Sequence, residues 1–471
     1  MIQQFITDAK RGNIDLVEHA SKALESAHAI NKEYRYIAAW ADPVARAEQL
    51  QQLAKTGNAR GKLFGVIISV KDNLCVQGVE STASSAILKG YKPLYNATAV
   101  QRCLDEGAII LGKTVQDEFG FGGFSINTGT GIEKPLNPLD KKRTCGGSSG
   151  GAAGLTKKAP FPHLALAEST GGSIANPASF CGAVGLTPTF GRVSRYGLID
   201  YANSLDKIGS MALTVEDAAL LLDAISGPDP HDSTSANAPT DPLTDIPRAI
   251  HGLRIGIPQD SFPETMDNTT RRVLMLALQQ LEQNGARRLD IKLPISTKYG
   301  LAAYYTLAMS EASTNLAKYC GIRYGASEAL SGNYNDYFSR VRDNHLGEEA
   351  KRRVLLGTFA RMAGYRDAFY TKAAQARTKI IQEYQAVFKD VDVIVTPTMP
   401  LVAPTFDELK NLTPLQHYQM DVLTVPPNLA GLPHITIPIG EAHGMPVGLM
   451  ITAPHFHEHK MIQVAKSYDK K

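Results

Sequence analysis

Apolar side chains recur at Ile14, Val17, Ala20, Ala23, Leu24, Ala27 and Ile30 with charged residues between them, which predicts an amphipathic surface helix. The pattern then changes. Residues 63–70, Leu-Phe-Gly-Val-Ile-Ile-Ser-Val, run apolar and β-branched from Gly61 to the polar Lys71, Asp72 and Asn73. Such a run predicts a strand buried on both faces. A helix is expected over 97–106, a short strand over 108–111 and a turn-rich segment over 120–151. Further strands are expected over 164–167, 183–186, 253–257, 391–395, 434–439 and 447–451. They alternate with helical stretches such as 215–225, 268–283 and 301–319, a pattern that defines an α/β protein.

The chain has 471 residues, enough for about three domains or one large α/β enzyme at roughly 150 residues per domain. Residues 227–247 are rich in Asp, Pro, Ser and Thr, and strands continue on both sides of them. The segment is therefore read as a surface loop on a single domain spanning 1–471. Hydrophobic residues make up 43% and charged residues 20%, a globular rather than disordered balance. The net charge is +3, and no basic run offers a stripe for direct nucleic-acid binding.

The apolar run at 64–70 is far shorter than the roughly 20 residues of a membrane span, and the opening MIQQFITDAKRG lacks a signal-peptide pattern. A soluble, cytoplasmic protein without membrane contact is expected, and an organelle location after loss of a transit peptide is compatible with the same reading. Cys75, Cys103, Cys145, Cys181 and Cys320 contain no C-x-x-C pair and are expected to be reduced, with neither a disulfide frame nor structural zinc.

Two glycine-rich patches carry the candidate chemistry: Cys-Gly-Gly-Ser-Ser-Gly-Gly at 145–151 and Ser-Thr-Gly-Gly-Ser-Ile at 169–174. Neither has the order of a phosphate loop or of a dinucleotide fingerprint. Alone, each reads as a flexible loop or a helix start. Lys71, at the end of a buried run, changes that reading, because a desolvated lysine loses its charge and becomes a base. A serine hydroxyl is a poor nucleophile until a neighbour takes its proton, directly or through a second serine. Lys71, Ser148 and Ser173 supply these three parts. The N–H groups of Thr170, Gly171 and Gly172 can point at a developing oxyanion.

A G-x-S-x-G elbow is absent, and His163 begins a strand, where packing or capping suits it better than catalysis. The alternating His455, His457 and His459 lie in a polar turn and are read as surface histidines rather than metal ligands.

Lys71-Asp72-Asn73, the Gly-Gly-Ser-Ser-Gly-Gly of 146–151 and the Thr-Gly-Gly-Ser-Ile of 170–174 running on into 180–197 resemble the amidase signature family. The resemblance implies a large mixed β-sheet core covered by helices on both faces, with a core over about 63–226 and residues 250–471 completing the sheet and the substrate pocket. It implies Ser173 as nucleophile, Ser148 as a relay reached through a cis peptide bond, and Lys71 as base.

Residues 194–209, 310–325, 351–361 and 421–440 resemble, more narrowly, the A-subunit branch found in glutamyl-tRNA(Gln) and aspartyl-tRNA(Asn) amidotransferases. That resemblance implies a glutaminase supplying ammonia, with Arg353 and Asp421 holding the α-carboxylate and α-amino group of glutamine and Tyr304 or Tyr305 lining the pocket. It implies no cofactor in this chain. ATP and Mg²⁺ would be used by a partner, the amidotransferase B-subunit, which also holds the mischarged tRNA, and a small C-subunit would complete the complex. A stand-alone amidase for small amides and a scaffold subunit without catalysis are the alternatives.

The chain also departs from the family pattern. Ser169 and Ala175 stand where an Asp and an Arg are usual, with Glu168 next door as a substitute brace. Thr187 stands where a Lys is usual. Gly123, Phe124 and Ile126 replace a Ser, a Ser and a Glu in a segment that borders the family's active site.

Overall fold

A computed structural model describes residues 2–238, 242–262 and 266–468. The apolar runs become strands of one sheet: β1 (Ile37–Trp40), β2 (Ile67–Lys71), β3 (Ile109–Thr114), β4 (His163–Ser169), β5 (Val184–Thr187), β6 (Lys207–Ala212), β7 (Arg254–Pro258), β8 (Arg287–Ile291), β9 (Val393–Pro397), β10 (His434–Ala442) and β11 (Met445–Thr452). Their spatial order is β1-β3-β2-β4-β6-β5-β10-β11-β9-β7-β8. β2 pairs in parallel with β3 and β4, and β7 with β8 and β9, while the pairs between these groups are antiparallel. The sheet is mixed, as expected. Every residue of β2 to β6 is buried. Successive side chains of a strand face opposite sides, so both faces of this central part are covered.

The run at 63–70 enters the sheet only at Ile67, because Gly65 takes φ +80° and turns the chain before the strand begins. The helices Val215–Ile225 and Asn268–Gln283 match their expected bounds, each started by a side-chain cap, Thr214 on Asp217 N–H and Asp267 on Thr269 and Thr270 N–H. Three strands lacked a legible pattern. β1 and β8 are edge strands with little burial, and β6 begins with a lysine and carries Gly209 and Ser210.

Residues 239–241 of the expected loop at 227–247 lie outside the described residues. The remainder is not a free excursion. Asp229 accepts hydrogen bonds from Ser194 and Thr98, each at 2.6 Å, and Asp232 pairs with Arg195, so the segment is pinned to the core. Among the described residues no helix is long and apolar enough to cross a membrane.

The topology also gathers the candidate chemistry. Because β2 and β4 run parallel and side by side, Lys71 and Glu168 come out at the same end of the sheet, where the two glycine-rich loops also lie.

Candidate active site

Lys71 is the last residue of β2 and is fully buried. Its Nζ donates to Ser148 Oγ at 2.7 Å, to the Glu168 carbonyl at 2.8 Å and to Glu168 Oε2 at 2.9 Å. Burial lowers the pKa of the amine, and the Glu168 carboxylate acts against that fall.

Ser148 follows a cis Gly147–Ser148 peptide bond, and the helix Gly150–Lys158 begins just beyond it. No side chain fits at Gly147, because a Cβ there would run into the Asp117 carboxylate. Asp117 in turn accepts from the N–H groups of Ser125 and Asn127, each at 2.9 Å, and so holds the following loop.

The second glycine loop connects β4 to the helix Ala175–Cys181. It is tied to the first by Ser149, whose N–H donates to the Ser173 carbonyl at 3.2 Å and whose hydroxyl donates to the Glu168 carbonyl at 3.1 Å. Of Lys71, Ser148 and Ser173, only Ser173 keeps any exposure, 6%. Its hydroxyl has no hydrogen-bond partner among the described residues, and neither do the N–H groups of Thr170, Gly171 and Gly172. These groups remain available to a bound molecule.

Ser169 and Ala175 stand at the positions where the resemblance leads to an Asp and an Arg, and Ser169 sits in a network of its own. Ser169 Oγ donates to the Gly171 carbonyl at 2.8 Å and accepts from Asn428 Nδ2 at 3.1 Å, while Ala175 is simply buried. Glu168 does not take over the missing Asp's place, as its sequence position suggested. Its carboxylate turns to Lys71 and to Asn73 Nδ2, 3.0 Å away.

Arg353 lies on the helix Glu348–Arg361 within a Lys-Arg-Arg run, which by itself suggests a solvated face, yet it is 3% exposed. Nε donates to Glu349 Oε1 at 2.8 Å and Nη1 to the Tyr201 hydroxyl at 2.6 Å. The rings of Phe121, Tyr201, Tyr305 and Tyr418 surround the guanidinium at 5.2, 5.6, 5.4 and 5.5 Å. A cavity of about 240 Å³ opens against Arg353, Tyr305 and Tyr418 on one side and Gly123, Phe124 and Ile126 on the other. The three positions that depart from the family pattern therefore form part of its wall.

Tyr305 donates to Asp421 Oδ2 at 2.6 Å, and burial raises the Asp421 pKa to about 6. Tyr304, its neighbour on the helix Pro294–Asn315, points instead to the second glycine loop, where a Cβ on Gly171 would lie 2.8 Å from its hydroxyl. A larger cavity, about 430 Å³, beside Thr82 and Ser85 contains none of these catalytic candidates.

His163 begins β4 and meets Ser69 Oγ at 3.0 Å, and burial drives its pKa down to about 3. The His455 ring meets the Ala430 carbonyl at 2.9 Å, and Glu458 of the same segment accepts from Thr189 N–H at 2.9 Å. Tyr201, Asp206, Glu349 and Tyr418 escaped the sequence reading. Tyr201 and Asp206 lie within the family-like stretch 194–209, yet none of the four carries a chemical signal of its own, and only the fold brings them to the site.

The family model described as Amidase spans residues 16–462, which takes in the sheet and both glycine loops, and the chain belongs to that family. It is 45% identical over 427 residues to the A-subunit of the glutamyl-tRNA(Gln) amidotransferase of Geobacillus sp. (strain WCH70), covering 90% of this chain and 87% of that protein. The crystal structure of the glutamyl-tRNA(Gln) amidotransferase A-subunit of Thermotoga maritima superposes with a TM-score of 0.80 at 32% identity, over 96% of this chain and 91% of the other. The peptide amidase of Stenotrophomonas maltophilia superposes with a TM-score of 0.84 at 27% identity, over 99% and 96%.

Proposed function

We propose that this chain is the glutamine-hydrolysing subunit of a tRNA-dependent amidotransferase. The observation that carries the reading is the pairing of two units: a buried lysine on a serine hydroxyl, and a cavity lined by the buried Arg353 guanidinium and by Tyr305, whose hydroxyl is bonded to the Asp421 carboxylate. An amino acid substrate carries the complementary charges on its α-carboxylate and α-ammonium. The similarity to proteins named as amidotransferase A-subunits supports the same substrate.

In this reading neutral Lys71 turns its lone pair to Ser148, which passes on the proton of Ser173. Ser173 Oγ attacks the side-chain carboxamide carbon of glutamine. The oxyanion is held by N–H groups of Thr170, Gly171 and Gly172, each well-placed donor being worth about 3 kcal/mol. The proton returns through Ser148 to the leaving nitrogen, ammonia departs, and water frees glutamate from the acyl-serine.

The chain itself uses no cofactor. ATP and Mg²⁺ act on the partner B-subunit that holds the mischarged tRNA, a small C-subunit completes the assembly, and the cytoplasm is the proposed place of action. Five free cysteines suit that compartment.

Arg353→Ala tests the reading through the Michaelis constant. KM for glutamine should rise at least tenfold more than KM for a simple aliphatic amide, which has no α-carboxylate to lose. Equal effects on both substrates favour a stand-alone amidase.

A further inference from the structure

Thr170 stands between two buried carboxyl groups. Its Oγ1 lies 2.9 Å from Glu168 Oε1 and 2.8 Å from Asp206 Oδ1. A threonine hydroxyl has one proton and can donate to only one of them. The other contact is a hydrogen bond only if that carboxyl carries a proton and donates it to Thr170. Two ionised carboxylates facing one hydroxyl inside the protein would leave like charges uncompensated.

The surroundings of each carboxyl decide where the proton sits. Glu168 Oε2 faces two donors, the Lys71 amine at 2.9 Å and Asn73 Nδ2 at 3.0 Å. Among the described residues no cation forms an ion pair with Asp206, and Lys71 acts on it only at longer range. Asp206 Oδ2 accepts from the N–H groups of Tyr201 and Ala202, each at 2.9 Å, and its Oδ1 meets only Thr170. Burial, with the Glu168 charge close by, pushes Asp206 well above the usual carboxylate range. The Lys71 side is equally well defined. Its three contacts suit an ammonium with three N–H groups, and they also suit a neutral amine that donates to the two Glu168 oxygens and accepts from the Ser148 hydroxyl. The other titratable groups near Lys71 are Asp117 and Asp206, and Arg353 acts on Asp117.

We infer that Glu168 is an ionised positioning residue for the Lys71 base and that Asp206 is a protonated carboxyl whose hydrogen bond reaches Glu168 through Thr170. The chain of contacts is Asp206 to Thr170 to Glu168, then Lys71 to Ser148. Glu168 holds the amine toward Ser148 and sets the pH at which it becomes neutral. Asp206 steadies Glu168 without adding a second negative charge. This inference rests on Lys71 acting as base in the proposed reaction.

Two near-isosteric variants and one spectrum test it on the purified full chain with glutamine. A neutral Lys71 is the active form, so kcat/KM rises with pH through its titration. Glu168→Gln removes the carboxylate that favours the ammonium, and the acid limb should move down by about one pH unit or more. Asp206→Asn replaces the proton that Asp206 already holds with an amide N–H, and the acid limb should stay within about 0.3 unit of wild type. Infrared difference spectra of wild type against Asp206→Asn should show the C=O stretch of a buried carboxylic acid in the wild type only.

An unmoved acid limb in folded Glu168→Gln, or a folded variant inactive at every pH, overturns the role of Glu168. A downward shift in Asp206→Asn, or a missing carboxylic acid band, overturns the proton on Asp206. The spectrum does not depend on activity and decides the proton's place even if Glu168→Gln fails to fold. Failure of the base assignment would show differently, as activity retained in Lys71→Arg.

Discussion

Two lysines sit on neighbouring strands at the same end of the sheet, and they differ in the face they occupy. Lys113 pairs with Val70 across β2 and β3, while Lys71 pairs with Thr114, so alternation sends the two amines to opposite faces. Both are fully buried, both lie beside a carboxylate, and burial lowers the pKa of both. Lys113 donates to Ser81 Oγ at 2.8 Å and to the Asp72 carbonyl at 3.1 Å, and Ser81 donates onward to the Val79 carbonyl at 3.2 Å. The serine branch of that network ends on backbone. The Lys71 network leads instead to Ser148 and to the loop that carries Ser173. Desolvation is common to both faces, and the face with a serine relay is the one suited to chemistry.

The hardest test of the contrast is the nucleophile. Ser173→Ala should reduce glutamine hydrolysis by about four orders of magnitude or more and abolish labelling by a fluorophosphonate probe. Labelling that persists would place the nucleophile elsewhere.

Lysine substitutions on the two faces should then separate. Lys71→Arg keeps a charge that cannot be given up, and turnover should fall by about two to four orders of magnitude. More than a tenth of wild-type turnover would mean another base. Lys113→Met should keep kcat within a few-fold and lower stability in urea unfolding by about 3 kcal/mol, because it leaves Asp72 buried without its cation. A large loss of kcat with unchanged stability in Lys113→Met would erase the distinction between the faces.

A smaller effect concerns coupling between the reaction centre and a partner. Glutamine turnover by the isolated chain should be weak and rise about 5- to 150-fold when partner subunits, ATP and mischarged tRNA are present, a coupling of about 1 to 3 kcal/mol. A chain equally active alone would work independently.

The smallest expected effect lies in the pocket. Asp421 has its pKa raised to about 6, so it is neutral below that pH and ionised above it. KM for glutamine should fall by up to about tenfold as pH rises from about 5 to 7, since only the carboxylate pairs with the α-ammonium. Asp421→Asn should flatten this dependence. A dependence that survives in the variant belongs to another group, Asp117 or Glu118, which burial raises to about 6 and about 7.

The parts legible in the sequence alone are the local ones. Continuous β-branched runs marked most of the central strands, because a strand buried on both faces has no polar side to hide. The glycine and serine order of 145–151 and 169–174 marked both loops, because close backbone approach excludes other residues, as at Gly147 against Asp117. Which residues share a charge was settled by the folded chain. Glu168 reaches Lys71 because β2 and β4 are parallel neighbours, a pairing that joins positions 97 residues apart. Arg353 was ambiguous within a basic helical run, and burial against four aromatic rings from other segments fixed its setting. Thr170 lies in the second glycine patch and Asp206 in the stretch 194–209, but no spacing in the sequence links the two. Their significance lies in a count of protons between oxygens less than 3 Å apart, and such a count exists only once the chain has folded.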